Sequence, residues 1–404
     1  MNNKLKYKNV GMEAQLFLIF NTLIMFCGNT FLLNFAPVMM ICVVGLLFGM
    51  AKIKGFRRYA YRVNCLKEPS VILLGLLTMF IGIQLVTVAY DRNVVFVYFA
   101  RYVIYTALLI FVPKPELSLA AIKMEKRYGI LCGFAYLINV AIADKNAGGL
   151  LGNYQAVGMM LSIIAIIYMT EYFEMNKKMI TLSLFLFSLL CVFITGKRTF
   201  SVLALLSFLL VFYFSNKKDK WINLLKVVVV LGVGVIIAYT LVEPIRELAN
   251  RLIFADYSDA YTFSSGRNVL WEIAFKIFEE HKVLGIGFGC YPQYSGDFYS
   301  NYTNAGLWQP HNIYYGMLCN IGIIGSVIFI SFMLISLIKT IKLLKDTYEN
   351  ENYKNICMYS LMIQIWFLIY GYSGNGIFDI NEMYFYVVAI AMSLSVAIDK
   401  HKYS

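Results

Sequence analysis

At 404 residues, a chain of ordinary composition would hold about two or three soluble domains. This composition excludes that class: 60% of the residues are hydrophobic, only 14% are charged, and the mean hydropathy is +0.68. The formal net charge of +12 raises the possibility of nucleic acid, but the basic residues fall in short segments between apolar stretches. Membrane lipid therefore replaces nucleic acid as the expected partner.

A bilayer is crossed by about 20 apolar helical residues. Taken in chain order, apolar spans are predicted at 14–34, 36–51, 70–89, 94–112, 128–143, 156–170, 179–195, 200–214, 223–242, 313–337, 356–372 and 384–398. The fold class is all-α, a polytopic membrane protein of about twelve helices forming a single integral membrane domain over 1–404. The turn at Asn34–Pro37 makes the first two spans a tight hairpin. The first span follows Lys4, Lys6 and Lys8 and runs on without a small-residue cleavage site, so no removable signal is expected.

With the N-terminus inside, most of the 35 Lys and Arg fall in inner segments. The short outer turns hold only Arg92, Lys145, Lys197 and Arg198. That bias predicts both termini in the cytoplasm. The eight cysteines are spread mainly through apolar spans without a metal-ligand spacing, and Cys290 alone lies in a large polar outer loop. They read as small buried hydrophobes, with no disulfide framework.

The outer loop, 243–311 between the ninth and tenth spans, is far longer than the others, and loops of that length usually carry function. Within it Leu270, Ile273, Ala274 and Ile277 repeat at helical spacing, with Glu272 and Lys276 off the stripe. An amphipathic helix is predicted on the outer face, with Trp271 at the interface. Gly285, Gly287 and Gly289 end it. Their G-x-G-x-G spacing has no surrounding strand–turn–helix unit, so a dinucleotide loop is rejected.

Two residue types in the outer segments suit anion chemistry. Arg267 follows Ser264-Ser265-Gly266 at a helix start, joining a cation to unpaired backbone N–H groups, a pattern suited to phosphate. Lys197 and Arg198 sit in a tight outer turn against the positive-inside trend, and Arg246 and Arg251 add charge. Arg101 lies inside the fourth span, where a cation usually faces the protein interior. No Asp or Glu falls within a predicted span, so the carboxylate relay of a proton-coupled pump is not expected. Of the histidines, His401 is in the polar tail and His281 ends the amphipathic helix. His311 directly precedes the tenth span, where the positive end of the helix dipole favours a neutral imidazole competent as a general base.

The run Gly266-Arg267-Asn-Val-Leu-Trp271, then His281-Lys-Val-Leu-Gly285-Ile-Gly287-Phe-Gly289, His311-Asn312 and Gly322-Ile-Ile-Gly325 resembles the O-antigen polymerase and O-antigen ligase superfamily. The turn with Arg198, and Asn153-Tyr154-Gln155 before the sixth span, are similar to further motifs of that family. In residues the likeness is carried mainly by 150–160, 196–201 and 266–325. One ligase signature ends in Gly, Thr or Tyr where Ser326 stands here, which favours a polymerase over a ligase.

The resemblance implies glycosyl transfer from a polyprenyl-diphosphate-linked oligosaccharide on the outer face of the bacterial inner membrane, without metal or cofactor. It implies His311, Arg267 and Arg198 as catalytic residues. Asn312, Arg251, Arg246, Arg101, Lys197 and Asn153 are then substrate-binding, and a flippase and chain-length regulators are partners. A ligase acting on lipid A core, or a lipid-linked oligosaccharide flippase or other transporter, are the alternatives; the long outer loop and the lack of a repeat between the halves speak against transport. The topology predicts that a cysteine at position 300, on a cysteine-free background, is labelled by an impermeant thiol reagent in intact cells. Labelling only after the cytoplasm is opened refutes it.

Overall fold

The computed structural model describes residues 60–142, 154–174, 179–214, 220–241, 266–299, 309–347 and 349–403, with a few positions between 243 and 250. The spans expected at 14–34 and 36–51 lie outside the described residues. Each of the other expected spans coincides with a helix: α1 (Pro69–Thr87), α2 (Arg92–Ile110), α3 (Pro115–Ile142), α4 (Tyr154–Glu174), α5 (Met179–Ile194), α6 (Arg198–Phe214), α7 (Lys220–Leu241), α10 (Ile313–Asp346), α11 (Glu351–Tyr370) and α12 (Ile380–Tyr403). Two shorter helices, α8 (Arg267–Glu280) and α9 (Tyr291–Tyr299), precede α10. The fold is an all-α polytopic membrane protein. Its only sheet among the described residues is one antiparallel pair, β1 (Ala60–Arg62) on β2 (Phe111–Pro113), with Tyr61 opposite Val112.

Local chemistry sets the helix limits. Pro69 opens α1, where a missing N–H costs nothing. Asp91 caps α2, its carboxylate accepting from the backbone of Asn93 at 2.9 Å and Val94 at 3.2 Å. Gly196, at φ 67°, makes the turn from α5 into α6 that the sequence placed there. On α1 the residues Ile72, Leu76, Met79, Ile83 and Val86 are exposed, and on α10 so are Val327, Ile330, Leu334 and Ile338. Exposed apolar stripes at helical spacing are what a lipid-facing surface requires.

The helices form two compact units. One comprises residues 1–36, 115–255 and 344–366. Its centre is α4, which is almost wholly buried. Glycines let the helices approach it: a Cβ on Gly129 would meet Ile164, and one on Gly158 would meet Phe200. Trp366 stacks on Phe200 and donates its indole N–H to Ser162 at 3.2 Å. Helix α3 starts well before the apolar span expected at 128–143 and so takes in Glu125. The predicted span itself holds no carboxylate; Glu125 lies on the part of the helix that precedes it. Glu125 is fully buried and accepts from the Tyr359 hydroxyl at 2.6 Å.

The other unit comprises 37–114, 256–343 and 367–404, and contains α1, α2, α8, α9, the start of α10 and α12. Thr78 ties α1 to α2 through the Tyr102 carbonyl at 3.2 Å and the Thr106 hydroxyl at 2.9 Å. The central feature is a break in α10. Gly322 adopts φ 59° and ψ −166°, a conformation open in practice only to glycine. The turn after α8 docks against the break: Ile323 donates to the Lys282 carbonyl at 2.8 Å, while Ile286 and Gly287 donate to the carbonyls of Cys319 and Asn320, each at 3.1 Å. Gln84 of α1 adds bonds to the Leu284 and Asn320 carbonyls at 2.6 and 2.9 Å. Asn320 then caps α9, accepting from Tyr291 N–H at 3.1 Å. The glycines expected merely to stop a helix therefore interlock two backbones.

A Cβ on Gly285 would meet the Asn320 backbone, and one on Gly322 the Val283 carbonyl. Gly285→Ala and Gly322→Ala are each expected to cost at least about 1–3 kcal/mol, from backbone strain alone, with further loss from the clash. Gly232→Ala, which meets nothing within 4 Å, is the control. Thermal unfolding in detergent should separate them, and equal midpoints for Gly322→Ala and Gly232→Ala would refute the interlock.

Candidate functional site

The interlock carries α8 towards the start of α10. Gly266, at φ 77°, precedes α8 and Arg267 is its first residue. The expected stripe faces inward, with Ile273, Ala274 and Ile277 buried. Trp271 is half-buried and held by protein contacts. Its indole N–H donates to the Pro310 carbonyl at 2.9 Å, and its ring stacks on Tyr315 and meets Tyr372 edge-on. Trp271 thereby fixes α8 against the turn that carries His311.

Three of the expected residues converge on a segment the sequence reading passed over, the loop 371–379 between α11 and α12. Arg267 donates from Nη1 to the Ser373 carbonyl at 2.8 Å. The backbone N–H of His311 donates to Asn375 Oδ1 at 2.8 Å, and the Asn375 amide nitrogen lies 3.1 Å from His311 Nδ1. Arg101 donates from Nη1 to the Phe378 carbonyl at 3.1 Å and lies over the Tyr98 ring, its Nε buried with no partner among the described residues. His311 is the only non-glycine residue at positive φ, 52°, among those described. That strain is held from two sides, by Asn375 and by the 2.7 Å bond from Ile313 N–H to the Gly371 carbonyl.

The remaining expected residues fall differently. Asn312 is buried and caps α10, its side-chain oxygen accepting from Tyr314 at 2.9 Å and Tyr315 at 3.3 Å. In this structure its carbonyl oxygen is spent on the helix start. Arg246 is exposed and pairs with Glu243 at 3.7 Å, a weak surface contact. Lys197 lies over the Tyr154 ring at 4.8 Å, and Arg198 opens α6. Asn153 and Arg251 lie outside the described residues. His281 ends α8 and contacts the Tyr294 hydroxyl at 3.0 Å. Cys290 is buried, its thiol donating to the Asp91 carbonyl, and burial pushes it up to about 11.

Residues 183–330 match the family model described as O-antigen ligase. The match covers about a third of the chain and supports the likeness to the O-antigen polymerase and ligase superfamily. Among curated proteins, none matches it. Members of this superfamily are glycosyltransferase-like membrane enzymes that handle lipid-linked polysaccharide. The matched segment contains Arg267, His311 and the Gly322 break, but ends before the 371–379 loop that binds both side chains.

The sequence reading also missed the acidic end of that loop. Asp379 and Glu382 are close enough to repel one another, and Asn381 is buried with both side-chain polar atoms unpartnered among the described residues. The signal was present as Gly371-Tyr-Ser-Gly-Asn-Gly-Ile-Phe-Asp379, a polar, glycine-rich run between two apolar spans. Burial pushes the Asp379 carboxyl up to about 6, partly offset by the Arg101 guanidinium. A raised carboxylate value means the folded state binds the proton more tightly than the unfolded chain. This contribution to stability is therefore full below the ordinary carboxylate range and lost as pH rises through about 6. Thermal midpoints of the wild type should fall relative to Asp379→Asn across that window. Parallel curves for the two proteins would refute the shift.

Proposed function

We propose that this protein polymerises lipid-linked oligosaccharide repeat units on the outer face of the cytoplasmic membrane, extending a surface polysaccharide of the O-antigen or capsule kind. The donor is a glycan on a polyprenyl diphosphate. Its anomeric C–O bond to the diphosphate breaks, with the electron pair passing to the departing diphosphate oxygen. A new C–O bond forms to the acceptor hydroxyl of a second repeat unit, and overall the hydroxyl proton ends on the released polyprenyl diphosphate.

The observation that carries this reading is the shared anchoring of Arg267 and His311 on one short loop, at Ser373 and Asn375. A departing diphosphate develops heavy negative charge, and a fixed guanidinium at a helix N-terminus stabilises such charge without reorganising. Arg267 is held in place by its bond to a carbonyl, and Trp271 holds the helix that bears it. His311 is the catalytic residue that contacts the reacting oxygens. Arg101 supports the loop through its bond to the Phe378 carbonyl. For Arg198 the support is the motif resemblance. Arginine supplies the charge in this reading, so turnover requires no metal and should survive chelator.

Purified protein supplied with lipid-linked repeat units should yield longer lipid-linked chains. His311→Ala should lose at least about 10²-fold in turnover, with unchanged membrane insertion. Arg267→Lys and Arg198→Lys keep the charge but lose the planar fork, and should lose most activity. His281→Ala and His401→Ala should be near neutral. Product formed only when lipid A core is added would identify a ligase instead. Wild-type chain growth by His311→Ala would end the glycosyl-transfer site proposed here.

A further inference from the structure

The contact between Asn375 and His311 settles more than position. A backbone N–H can only donate, so the bond from His311 N–H at 2.8 Å fixes that end of the Asn375 amide as its oxygen. The other end is then an NH2 group, which can only donate, and it faces His311 Nδ1 at 3.1 Å. Nδ1 must supply a lone pair. A neutral imidazole with its lone pair at Nδ1 carries its proton at Nε2. An imidazolium would set an N–H against the NH2, so the same contact disfavours the charged ring.

A general base acting through Nε2 needs the opposite tautomer, with Nδ1–H and a lone pair on Nε2. That form would turn the Asn375 contact into donor against donor. Rotating the amide to relieve it would set NH2 against the His311 backbone N–H, at the one non-glycine position of positive φ among the described residues. The Asn375 side chain that helps to hold the strained backbone thus also sets the ring tautomer.

We propose that Asn375 is a positioning residue that locks His311 as a neutral Nε2–H donor to a negatively charged phosphate oxygen of the donor substrate. This rests on the glycosyl-transfer reading above for the identity of that oxygen, but the tautomer does not. His311 takes up no proton in the step. It stabilises charge on the departing oxygen, while the acceptor's proton ends on the diphosphate as written above. Such a donor is worth about 10²–10³-fold in rate at sites that stabilise developing negative charge.

The test begins on the ring itself. In a His281→Gln, His401→Gln background the only remaining histidine is His311, and nitrogen NMR of the labelled, membrane-reconstituted protein reads its tautomer. A protonated Nε2 and an unprotonated Nδ1 are expected. A protonated Nδ1, or a mixture, overturns the proposal without requiring any variant of Asn375 to fold. Asn375→Asp then offers oxygens at both ends, so it still accepts the His311 backbone N–H but demands a proton at Nδ1. It should switch the spectrum to Nδ1–H and lower turnover about 10²-fold, with a thermal midpoint close to wild type. If His311 were a base, Asn375→Asp would retain or raise turnover, and that result sinks the donor role. A fully active His311→Ala with an intact Nε2–H spectrum in the histidine background would instead refute the reaction assignment and leave the tautomer standing.

Discussion

A membrane helix seldom gives up a backbone bond, because no water is at hand to replace it. In α10 the ladder is broken at Gly322, and a turn from another part of the chain supplies the partners: Lys282 offers its carbonyl to Ile323, and Ile286 and Gly287 take up the carbonyls of Cys319 and Asn320. The rest of this unit is arranged around that exchange. It fixes the end of α8, and through the Asn320 side chain it fixes the start of α9. Gln84 closes the arrangement from α1, bonded to carbonyls on both sides of the interlock. Helix α8, which bears Arg267 at its first turn, is therefore referenced to α10, which bears His311 just before its own.

The loop 371–379 is the second half of the same device. Its carbonyls at Gly371, Ser373 and Phe378 receive Ile313 N–H, Arg267 and Arg101, and its Asn375 side chain receives His311. A short loop that accepts from several donors is rigid without needing regular structure. Each cation it binds also keeps donor capacity, since a guanidinium carries five N–H bonds and a single carbonyl uses one. A carbonyl orients a guanidinium without itself cancelling the charge. Of the carboxylates nearby, Asp379 ends the loop beside Arg101, and Glu382 lies in the first turn of α12.

For His311 the important distinction is between a residue's type and its state. Its type and its position before a long apolar span were enough to mark it as chemically special, and its strained backbone supports that. Its state depends on what Asn375 presents to Nδ1. A helix dipole acts on charge and cannot choose between the two neutral tautomers, whereas one amide group in contact can. The expectation of a general base came from the dipole, whereas the proposed donor role rests on a side chain 64 positions further along.

Much of the architecture followed from the sequence, because bilayer thickness translates directly into the length of an apolar run. Every predicted span within the described residues has its helix, and the amphipathic stripe of Ile273, Ala274 and Ile277 is buried as its spacing required. Motif order around Arg267, His311 and Gly322 also pointed to the family whose model matches residues 183–330. What the sequence did not disclose are contacts between segments remote along the chain. Nothing in the local pattern of Gly285 shows that it faces the backbone of Asn320, or that Asn312 is committed to a cap while Asn375 binds a histidine. Nor does hydropathy show that Glu125, ahead of its predicted span, is buried against the Tyr359 hydroxyl. Periodicity reports which solvent a face meets, whereas a hydrogen bond depends on a partner's position to within a fraction of an ångström, and only the tertiary fold sets that.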